Sequence, residues 1–184
     1  GFSIRALLKE VLSEPRNDNQ LILDRVSSDF LVELLELEIP EIFEKLVEIK
    51  KIVRSAGYKS KIIVTSNDPN IDPVGTCVGV GGSRIKPILK ELGMEKIDII
   101  PWTESRETLV RNALKPAQID RVELVGDSIA KVWLDEDQRA LAIGRMGQNI
   151  SLASQLTEFD IQLMKNEKEV VSPIELEEEG IEEL

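Results

Sequence analysis

The stretch Gly79-Val80-Gly81-Gly82-Ser83-Arg84 decides the fold, because it places three glycines between two largely apolar segments. The segment at residues 74–78 precedes it. After it, apolar residues recur from Ile85 to Leu92 with the i, i+3, i+4, i+7 spacing that is typical of one face of a helix. This stretch, called the first corner below, therefore predicts two helices that meet at a glycine-rich turn.

A second corner, Gly144-Arg145-Met146-Gly147-Gln148-Asn149, lies 65 residues further along the chain. Its glycines occupy the first and fourth positions, as Gly79 and Gly82 do in the first corner. Largely apolar segments at residues 141–143 and 150–153 flank it. One glycine corner is a weak signal, but two in the same context indicate a repeated structural unit.

The segments around the two corners repeat the order helix, strand, strand, helix, helix, strand. We therefore predict an α+β fold with two αββααβ units, preceded by a hairpin. The predicted strands are residues 2–13, 20–26, 47–54, 59–66, 96–102, 118–125, 128–134 and 160–165, and the predicted helices are residues 28–39, 41–46, 73–78, 83–92, 103–114, 138–143 and 149–157.

Residues that can bond free backbone groups mark the predicted helix ends. We expect the side chain of Ser28 or Asp29 to accept from the first turn of the first helix. Asp72 and Thr103 are the expected N-caps of two later helices. Gly93 is expected to end the helix that follows the first corner.

The charge of the chain is unevenly distributed. The net charge of −11 over 184 residues argues by itself against a nucleic-acid partner. The acidic residues are concentrated, however, in residues 28–44 (net −6) and residues 166–184 (net −7). Residues 45–96 carry +5 and residues 97–165 carry −3. The first corner therefore lies in a locally basic region.

The composition also excludes several classes of function. The chain has no histidine, and so lacks the commonest general base and the commonest zinc ligand. We expect no enzyme activity, no metal and no cofactor. No run of 18 or more apolar residues occurs, so no membrane-spanning helix is expected. The single cysteine, Cys77, fits a reducing, cytoplasmic location.

Both corners have properties that suit the sugar-phosphate backbone of a nucleic acid. A helix start exposes free N–H groups and a partial positive charge, and glycine lets a ligand backbone approach closely. Arg84, Lys86 and Arg145 add positive charge. This combination predicts binding of a single strand, with bases lying across an adjacent apolar groove. The alternative is that the glycines only turn the chain between packed helices.

These motifs resemble a known family. A G-x-x-G between two helices in the order αββααβ resembles a KH domain of the prokaryotic, type II arrangement. Two in tandem, with the wordings SNDPNIDPVGTCVGVGGSRI and LAIGRMGQNISLAS, resemble the KH pair of the NusA family of bacterial transcription elongation and termination factors. The strand pair before them and the segment LVELLELEIPEI resemble the end of that family's S-one-type OB barrel and the linker that follows.

The resemblance implies two tandem type II KH domains preceded by a partial OB-barrel hairpin and a linker helix. It divides the chain into the end of an OB-fold RNA-binding domain (1–27), linker helices (28–46), a first KH domain (47–102), a second KH domain (103–165) and an acidic tail without fixed structure (166–184).

The resemblance also implies RNA contacts at both corners. With Lys86 added for its charge, the expected RNA-binding residues are Gly79, Val80, Gly81, Gly82, Ser83, Arg84, Lys86, Gly144, Arg145, Met146, Gly147, Gln148 and Asn149. Two positions depart from the family, because Gly81 stands where a basic residue is usual and Met146 replaces a usually polar one. We therefore expect the first corner to bind RNA more weakly than is typical, relying on Arg84, Lys86 and backbone N–H groups.

The function implied by the resemblance is binding of single-stranded nascent RNA beside RNA polymerase, with effects on pausing, termination and antitermination. The implied partners are RNA, RNA polymerase and other transcription or antitermination factors, with no membrane. An alternative from a different class is a protein-interaction scaffold with structural glycines and acidic recruiting segments. Residues 167–184 could also compete with RNA for the basic region 45–96. For Trp102, Trp133 and Phe159 we expect core packing rather than base stacking.

Overall fold

The computed structural model describes residue 1, residues 3–16 and residues 19–166. The predicted tail beyond residue 166 lies outside the described residues, as do Phe2 and the two residues between the first two strands. All structural statements below concern the described part of the chain.

The elements follow the predicted αββααβ order twice, after a hairpin, which confirms the α+β class. The strands are β1 (Leu7–Arg16), β2 (Asn19–Asp24), β3 (Val47–Ser55), β4 (Lys59–Ser66), β5 (Lys96–Pro101), β6 (Arg121–Val125), β7 (Ile129–Leu134) and β8 (Asp160–Lys165). The helices are α1 (Ser28–Glu38), α2 (Pro40–Phe43), α3 (Pro73–Val78), α4 (Ile85–Leu92), α5 (Arg106–Ala113), α6 (Glu136–Ile143) and α7 (Gln148–Thr157). Short 3-10 turns occupy the corners at Val80–Gly82 and Arg145–Gly147.

The two units share one sheet topology. Their sheets have the orders β3-β4-β5 and β6-β7-β8, while β1 and β2 form a separate two-stranded sheet. In each unit the first two strands are antiparallel and the third runs parallel to the middle one. The parallel step requires a crossover, and the helix–corner–helix segment supplies it. The corner is therefore held at the same place in both units.

The first core lies on one face of the first sheet. Leu34 of α1, Cys77 of α3 and Ile88 of α4 pack with Ile62 and Val64 of β4, and all five side chains are buried. The predicted linker segment, residues 28–46, thus contributes the apolar face of α1 to this core. Burying that face, worth about 1.5–3 kcal/mol for each large apolar side chain, joins α1 to the first unit.

The second core extends across the boundary between the units. Ile63 and Ile100 project from the opposite face of the first sheet and pack with Val110 of α5, Val132 of β7 and Leu156 of α7. The first sheet is therefore covered on both faces, by its own helices and by those of the second unit. This shared core fixes the second unit against the first.

Two predicted N-caps are displaced by one or two residues in the structure. Ser27, rather than Ser28 or Asp29, caps α1, and its Oγ accepts from the Phe30 N–H at 3.4 Å. Asp24 accepts from the Ser27 N–H at 3.1 Å, which sets the turn that places Ser27 at the helix start.

The cap of α5 is likewise displaced along the chain. Ser105, rather than Thr103, caps α5 by accepting from the Thr108 N–H at 3.1 Å. Thr103 instead accepts from the Ser105 N–H at 3.3 Å, so it shapes the turn that leads into the helix. The caps predicted at Asp72 and Gly93 are confirmed.

Two strands start later than predicted because tertiary contacts occupy their expected first residues. β1 starts at Leu7, since Arg5 leaves the ladder to bond Glu38 and Glu91. β6 starts at Arg121, and the Gln118 N–H donates to the Gln138 side chain at 3.0 Å instead of to a strand.

The three aromatic residues expected in the core differ from one another. Phe159 is buried, which confirms the prediction. Trp102 is 46% exposed, so the prediction is wrong for this residue. Trp133 is half-buried, and the Arg121 guanidinium lies 3.7 Å from its ring centroid.

Candidate nucleic-acid interface

The two corners follow the same backbone path. Gly79 (φ 73°, ψ 163°) and Gly144 (φ 71°, ψ 176°) adopt a conformation that is essentially restricted to glycine. Two residues later, Gly81 (φ 59°, ψ 20°) and Met146 (φ 53°, ψ 28°) are both left-handed. The corners thus have the same shape although glycine is present at the third position in only one of them.

The first glycine of each corner is also required by close packing. A Cβ at Gly79 would lie 2.6 Å from Ser83 Oγ and 3.0 Å from the backbone N of Arg84. A Cβ at Gly144 would lie 2.6 Å from the Cβ of Asn149. Because real Cβ atoms do not approach so closely, these glycines allow the helix after the corner to pack against the corner itself.

The tips of both corners are open to solvent. Val80 is 95% exposed and Met146 is 87% exposed. The backbone bonds of the first corner use the N–H groups of Gly82 and Ser83, which donate to Gly79 O at 2.9 Å and to Val80 O at 3.1 Å. The N–H groups of Val80 and Gly81 take no part in these bonds and lie where a phosphate oxygen could accept from them.

Arg84 does not supply the mobile charge that the sequence predicted. Its Nη1 donates to Thr76 O at 2.8 Å, and its Nη2 pairs with Glu41 Oε1 at 2.9 Å. The guanidinium therefore links the last turn of α3 to α2, and a ligand would have to displace Glu41 to use it.

Asn149, at the equivalent sixth position of the second corner, has a similar structural role. Its Nδ2 donates to Leu141 O at 3.3 Å, Ala142 O at 3.1 Å and Leu114 O at 3.2 Å. Only 3% of the residue is exposed. The Asn149 side chain is therefore buried among backbone carbonyls, and the predicted contact of this residue with RNA stays a prediction.

The remaining predicted residues are accessible to different degrees. Lys86 and Arg145 are exposed, and neither forms an ion pair with any residue that the structure describes. Ser83 is also exposed. The Gln148 side chain accepts from Ser55 Oγ at 3.3 Å, so it is partly engaged with the first unit. Lys86 and Arg145 are thus the available cations at the two corners.

A basic cleft lies on the seam between the units, next to the second corner. The cleft has a volume of about 870 Å³ and is bordered by β5 and by the end of α5. Its basic side chains are Lys59, Lys96, Arg111 and Lys115, against one acid, Asp98. Sequence reasoning missed this cleft because the packing of α5 on the first sheet brings together residues that are distant in the chain. The local excess of lysines near residue 59 was the only signal.

The described residues contain neither a group of candidate metal ligands nor a candidate membrane-spanning helix. In residues 3–16 and 19–166, no three Cys, Asp or Glu side chains are grouped as metal ligands. No helix in the same ranges is long and apolar enough to cross a membrane.

Family comparisons match the two units separately. Residues 25–102 match the family described as the NusA-like first KH domain, and residues 106–170 match the NusA-like second KH domain. The first corner lies within the first match and the second corner within the second. The first match includes α1, in agreement with the packing of that helix.

Similar curated proteins carry the name transcription termination/antitermination protein NusA. The protein of Thermus thermophilus is 44% identical over 168 residues, which cover 91% of this chain and 43% of the relative. That of Rickettsia conorii is 41% identical over 177 residues (90% and 34%), and that of Borreliella burgdorferi is 43% identical over 162 residues (87% and 33%). The chain therefore spans less than half the length of these relatives.

A solved structure shares the fold. The crystal structure of APE1850 matches with a TM-score of 0.50 at 19% sequence identity, covering 73% of this chain and 96% of that one. At this identity the likeness concerns the fold alone. Taken with the two tandem matches and the curated relatives, the repeated glycine corners lead to one conclusion: this chain belongs to the NusA family, and it contains that family's first and second KH domains.

Proposed function

We propose that this chain is a non-enzymatic RNA-binding module that holds single-stranded nascent RNA and modulates pausing, termination and antitermination by RNA polymerase. RNA polymerase and other transcription or antitermination factors are its proposed partners, and the cytoplasm is its proposed location. The name of the relatives, transcription termination/antitermination protein, supports this assignment. The observation that carries it is the presence of two solvent-exposed corners with the same backbone geometry.

The proposed contacts at each corner are made mainly by the backbone. In the first corner, residues 79–83 present glycines and N–H groups to a phosphate, and Lys86 adds charge. In the second, residues 144–148 do so, and Arg145 adds charge. The side chains of Arg84 and Asn149 are not among the proposed RNA contacts, because each bonds the preceding helix.

The basic cleft supports binding of one continuous strand across both units. A single KH corner clamps about four nucleotides, which is a small contact. Two linked sites gain affinity because binding at the first raises the effective concentration of RNA at the second. Lys96, Arg111 and Lys115 are exposed in the cleft beside the second corner, where phosphates of the connecting nucleotides would pass.

We also propose that residues 1–27 are the last part of an OB barrel. The hairpin β1–β2 exposes Leu8 (58%), Val11 (57%), Leu21 (56%) and Leu23 (57%). A two-stranded sheet with so little covered apolar surface is marginally stable alone, which supports packing of this hairpin within a larger sheet.

The test of the function is a pair of double variants at the corners. Val80→Asp with Gly81→Asp, and Arg145→Asp with Met146→Asp, place carboxylates where phosphates are proposed to bind. Aspartate tolerates the left-handed conformation of the third position better than most residues, so folding is retained. Binding of a 5′-labelled single-stranded RNA is expected to weaken about tenfold or more for each, as measured by fluorescence anisotropy.

The control carries the same charge change away from the corners. Arg121→Asp with Val125→Asp changes the charge as much as the second-corner variant does, on the exposed face of β6. It is expected to weaken RNA binding far less. If both corner variants bind RNA as tightly as the unaltered chain, the proposed function is wrong.

A salt titration separates RNA binding from the scaffold alternative. Binding through phosphates should weaken with a log–log slope of about −0.7 per neutralised phosphate for single strands. Absence of RNA binding at low salt would favour the scaffold.

A further inference from the structure

A buried polar cluster connects the first sheet to the second corner. Lys59 of β4 donates through Nζ to Asn149 Oδ1 at 3.2 Å, and its Nζ also pairs with Asp98 Oδ2 at 2.8 Å. The same Asp98 oxygen pairs with Lys61 Nζ at 2.7 Å. Lys59 is 9% exposed and Lys61 is fully buried. Two buried cations thus share one half-buried carboxylate beside a single side-chain amide.

The orientation of the Asn149 amide follows from its surroundings. Its nitrogen faces three backbone carbonyls, and its oxygen faces the ammonium of Lys59. A flipped amide would put an oxygen against three oxygens and an NH₂ against an ammonium, leaving four unfavourable contacts. Lys59 therefore favours the one orientation in which Asn149 bonds the end of α6 to the start of α7. Those two helix ends are the two sides of the second corner.

Among the residues that the structure describes, the first corner has no comparable bond to the other unit. Its sixth residue, Arg84, bonds Thr76 O and Glu41, and both partners lie in the first unit. We propose that Lys59 is a positioning residue for the second corner: acting through Asn149, and held by Asp98, it makes the RNA-binding shape of the second corner depend on the sheet of the first unit. This inference rests on the proposed function for its effect on RNA, and on the hydrogen bonds alone for its effect on the corner.

The primary test compares Lys59→Met with Lys96→Met. The two lysines are ladder partners in β4 and β5 and line the same cleft, but Lys96 is exposed and makes no bond to Asn149. Both variants remove one positive charge. If Lys59 acts only through its charge, the exposed Lys96 should matter at least as much for RNA binding. If Lys59 positions the corner, Lys59→Met is expected to weaken binding about three- to tenfold more than Lys96→Met does.

A measurement without RNA tests the positioning directly. The amides of Gly144 and Gly147 donate to Ala140 O at 2.9 Å and Gly144 O at 3.2 Å, and those of Gly79 and Gly82 make the equivalent bonds in the first corner. Hydrogen exchange of the second-corner amides is expected to accelerate about tenfold in Lys59→Met, with the first-corner amides unchanged. Lys59→Arg, which keeps a charged donor, is expected to restore slow exchange.

The outcomes are distinguishable. Unchanged exchange at Gly144 and Gly147 in Lys59→Met overturns the inference whatever the RNA result, and equal acceleration at both corners assigns Lys59 a general structural role and also overturns it. Local acceleration with no RNA binding by the unaltered chain supports the positioning and refutes the proposed function instead.

A second variant tests whether Lys59 affects RNA binding only through its charge. Asp98→Asn adds one unit of positive charge, so pure electrostatics predicts tighter RNA binding, whereas the positioning role predicts weaker binding. Glu104→Gln, at an exposed acid between β5 and α5, is the control for that charge change. In the Arg145→Asp, Met146→Asp background, the weakening by Lys59→Met should disappear. Its persistence there would overturn the inference.

Discussion

The two units have different residues at the buried position that directly precedes the last strand of each. In the first unit this position is Glu95 (2% exposed), and in the second it is Phe159 (4% exposed). The strand register shows that the residues next to this position also differ between the two units. Arg54 and Ser60 are paired beside Glu95, and the equivalent pair beside Phe159 is Leu124 and Ala130.

The polar version is fully bonded. Arg54 approaches Glu95 with Nε at 2.8 Å and Nη2 at 3.0 Å, Ser60 Oγ donates at 2.6 Å and the Gly57 N–H at 2.9 Å. Arg54 also donates to Ser27 O, just before α1. The same fold can thus close this position with a buried ion pair or with an aromatic ring, and the polar choice additionally anchors α1 to the sheet.

The largest expected effect comes from breaking the polar version. Glu95→Ala leaves the Arg54 guanidinium buried and unpaired, and it is expected to lower the free energy of unfolding by about 3–5 kcal/mol. Phe159→Ala, which leaves a cavity, is expected to cost a similar amount, about 3–5 kcal/mol. Urea unfolding followed by circular dichroism measures both.

A transplant sharpens this comparison. Arg54→Leu, Ser60→Ala and Glu95→Phe together install the residues of the second unit, and they are expected to recover at least half of the Glu95→Ala loss, because an apolar set of similar volume replaces a buried pair at little net cost. A triple variant no more stable than Glu95→Ala would show that the two versions are not interchangeable.

Glu95 also makes the stability of the fold depend on pH in the acid range. Burial raises the pKa of the Glu95 carboxyl, but hydrogen bonds from Arg54, Ser60 and the Gly57 N–H outweigh it and hold the pKa below its ordinary value of 4.5. Because the folded pKa lies below the unfolded one, ionised Glu95 stabilises the fold above the ordinary value. This stabilisation is lost as pH falls through the folded pKa.

The transplanted triple variant should therefore lose less stability than the unaltered chain between pH 7 and acid, since it lacks this carboxyl. Other carboxylates titrate in both proteins and cancel in the difference. Urea midpoints measured across the acid range provide the comparison, and equal losses in the two proteins would contradict the assignment.

The third prediction compares the first glycines of the corners. Alanine at either position adopts a conformation restricted to glycine, which costs about 1–3 kcal/mol. At both positions the new Cβ would lie 3.0 Å from the backbone N of the sixth corner residue. At Gly79 its shortest contact, 2.6 Å, is with the Ser83 hydroxyl, which can rotate away, and Arg84 Cγ follows at 2.9 Å, whereas at Gly144 the 2.6 Å contact is with the Cβ of the hydrogen-bonded Asn149. Gly144→Ala is therefore expected to destabilise the chain more than Gly79→Ala, as thermal unfolding can measure. The reverse order would mean that the Asn149 bonds do not hold the second corner rigid.

The smallest expected effect is at the third corner position. The left-handed backbone conformation strains Met146, whereas glycine adopts it without strain at Gly81. Met146→Gly is expected to stabilise the chain by about 0.5–1 kcal/mol after allowing for the added freedom of glycine in the unfolded state, and Gly81→Met to destabilise it by about the same. Chemical denaturation of both variants tests the symmetry. If neither changes stability, the left-handed strain at this position is negligible.

The features that depend on residues close together in the chain were predicted correctly from the sequence. The glycines at 79, 82, 144 and 147 predicted both corners, and the bounds of β4 and β8 agree with the predicted residues 59–66 and 160–165. Cap positions were less well predicted, because Ser27 and Ser105 compete with nearby residues that can accept the same bonds, and the turn before each helix decides the outcome.

The roles of Arg84 and Asn149 could not be read locally. An arginine and an asparagine beside glycines are reasonable ligands for RNA, and nothing in the chain nearby indicates that Glu41 or Leu114 O will be in contact with them. The same holds for Glu95, which appears in the sequence as one more acid of an acidic protein.

The sequence by itself determined the repeat, the two corners and their family, because backbone conformation at glycine and helical periodicity depend on residues close in the chain. Only the tertiary structure decided which charges are free. Packing of α5 and α7 on the first sheet buried Lys59 and Lys61 beside the half-exposed Asp98, bonded Asn149 to the first unit and brought together the basic cleft between the units. Burial and pairing are properties of distant residues brought together, and the availability of a charge for RNA depends on both.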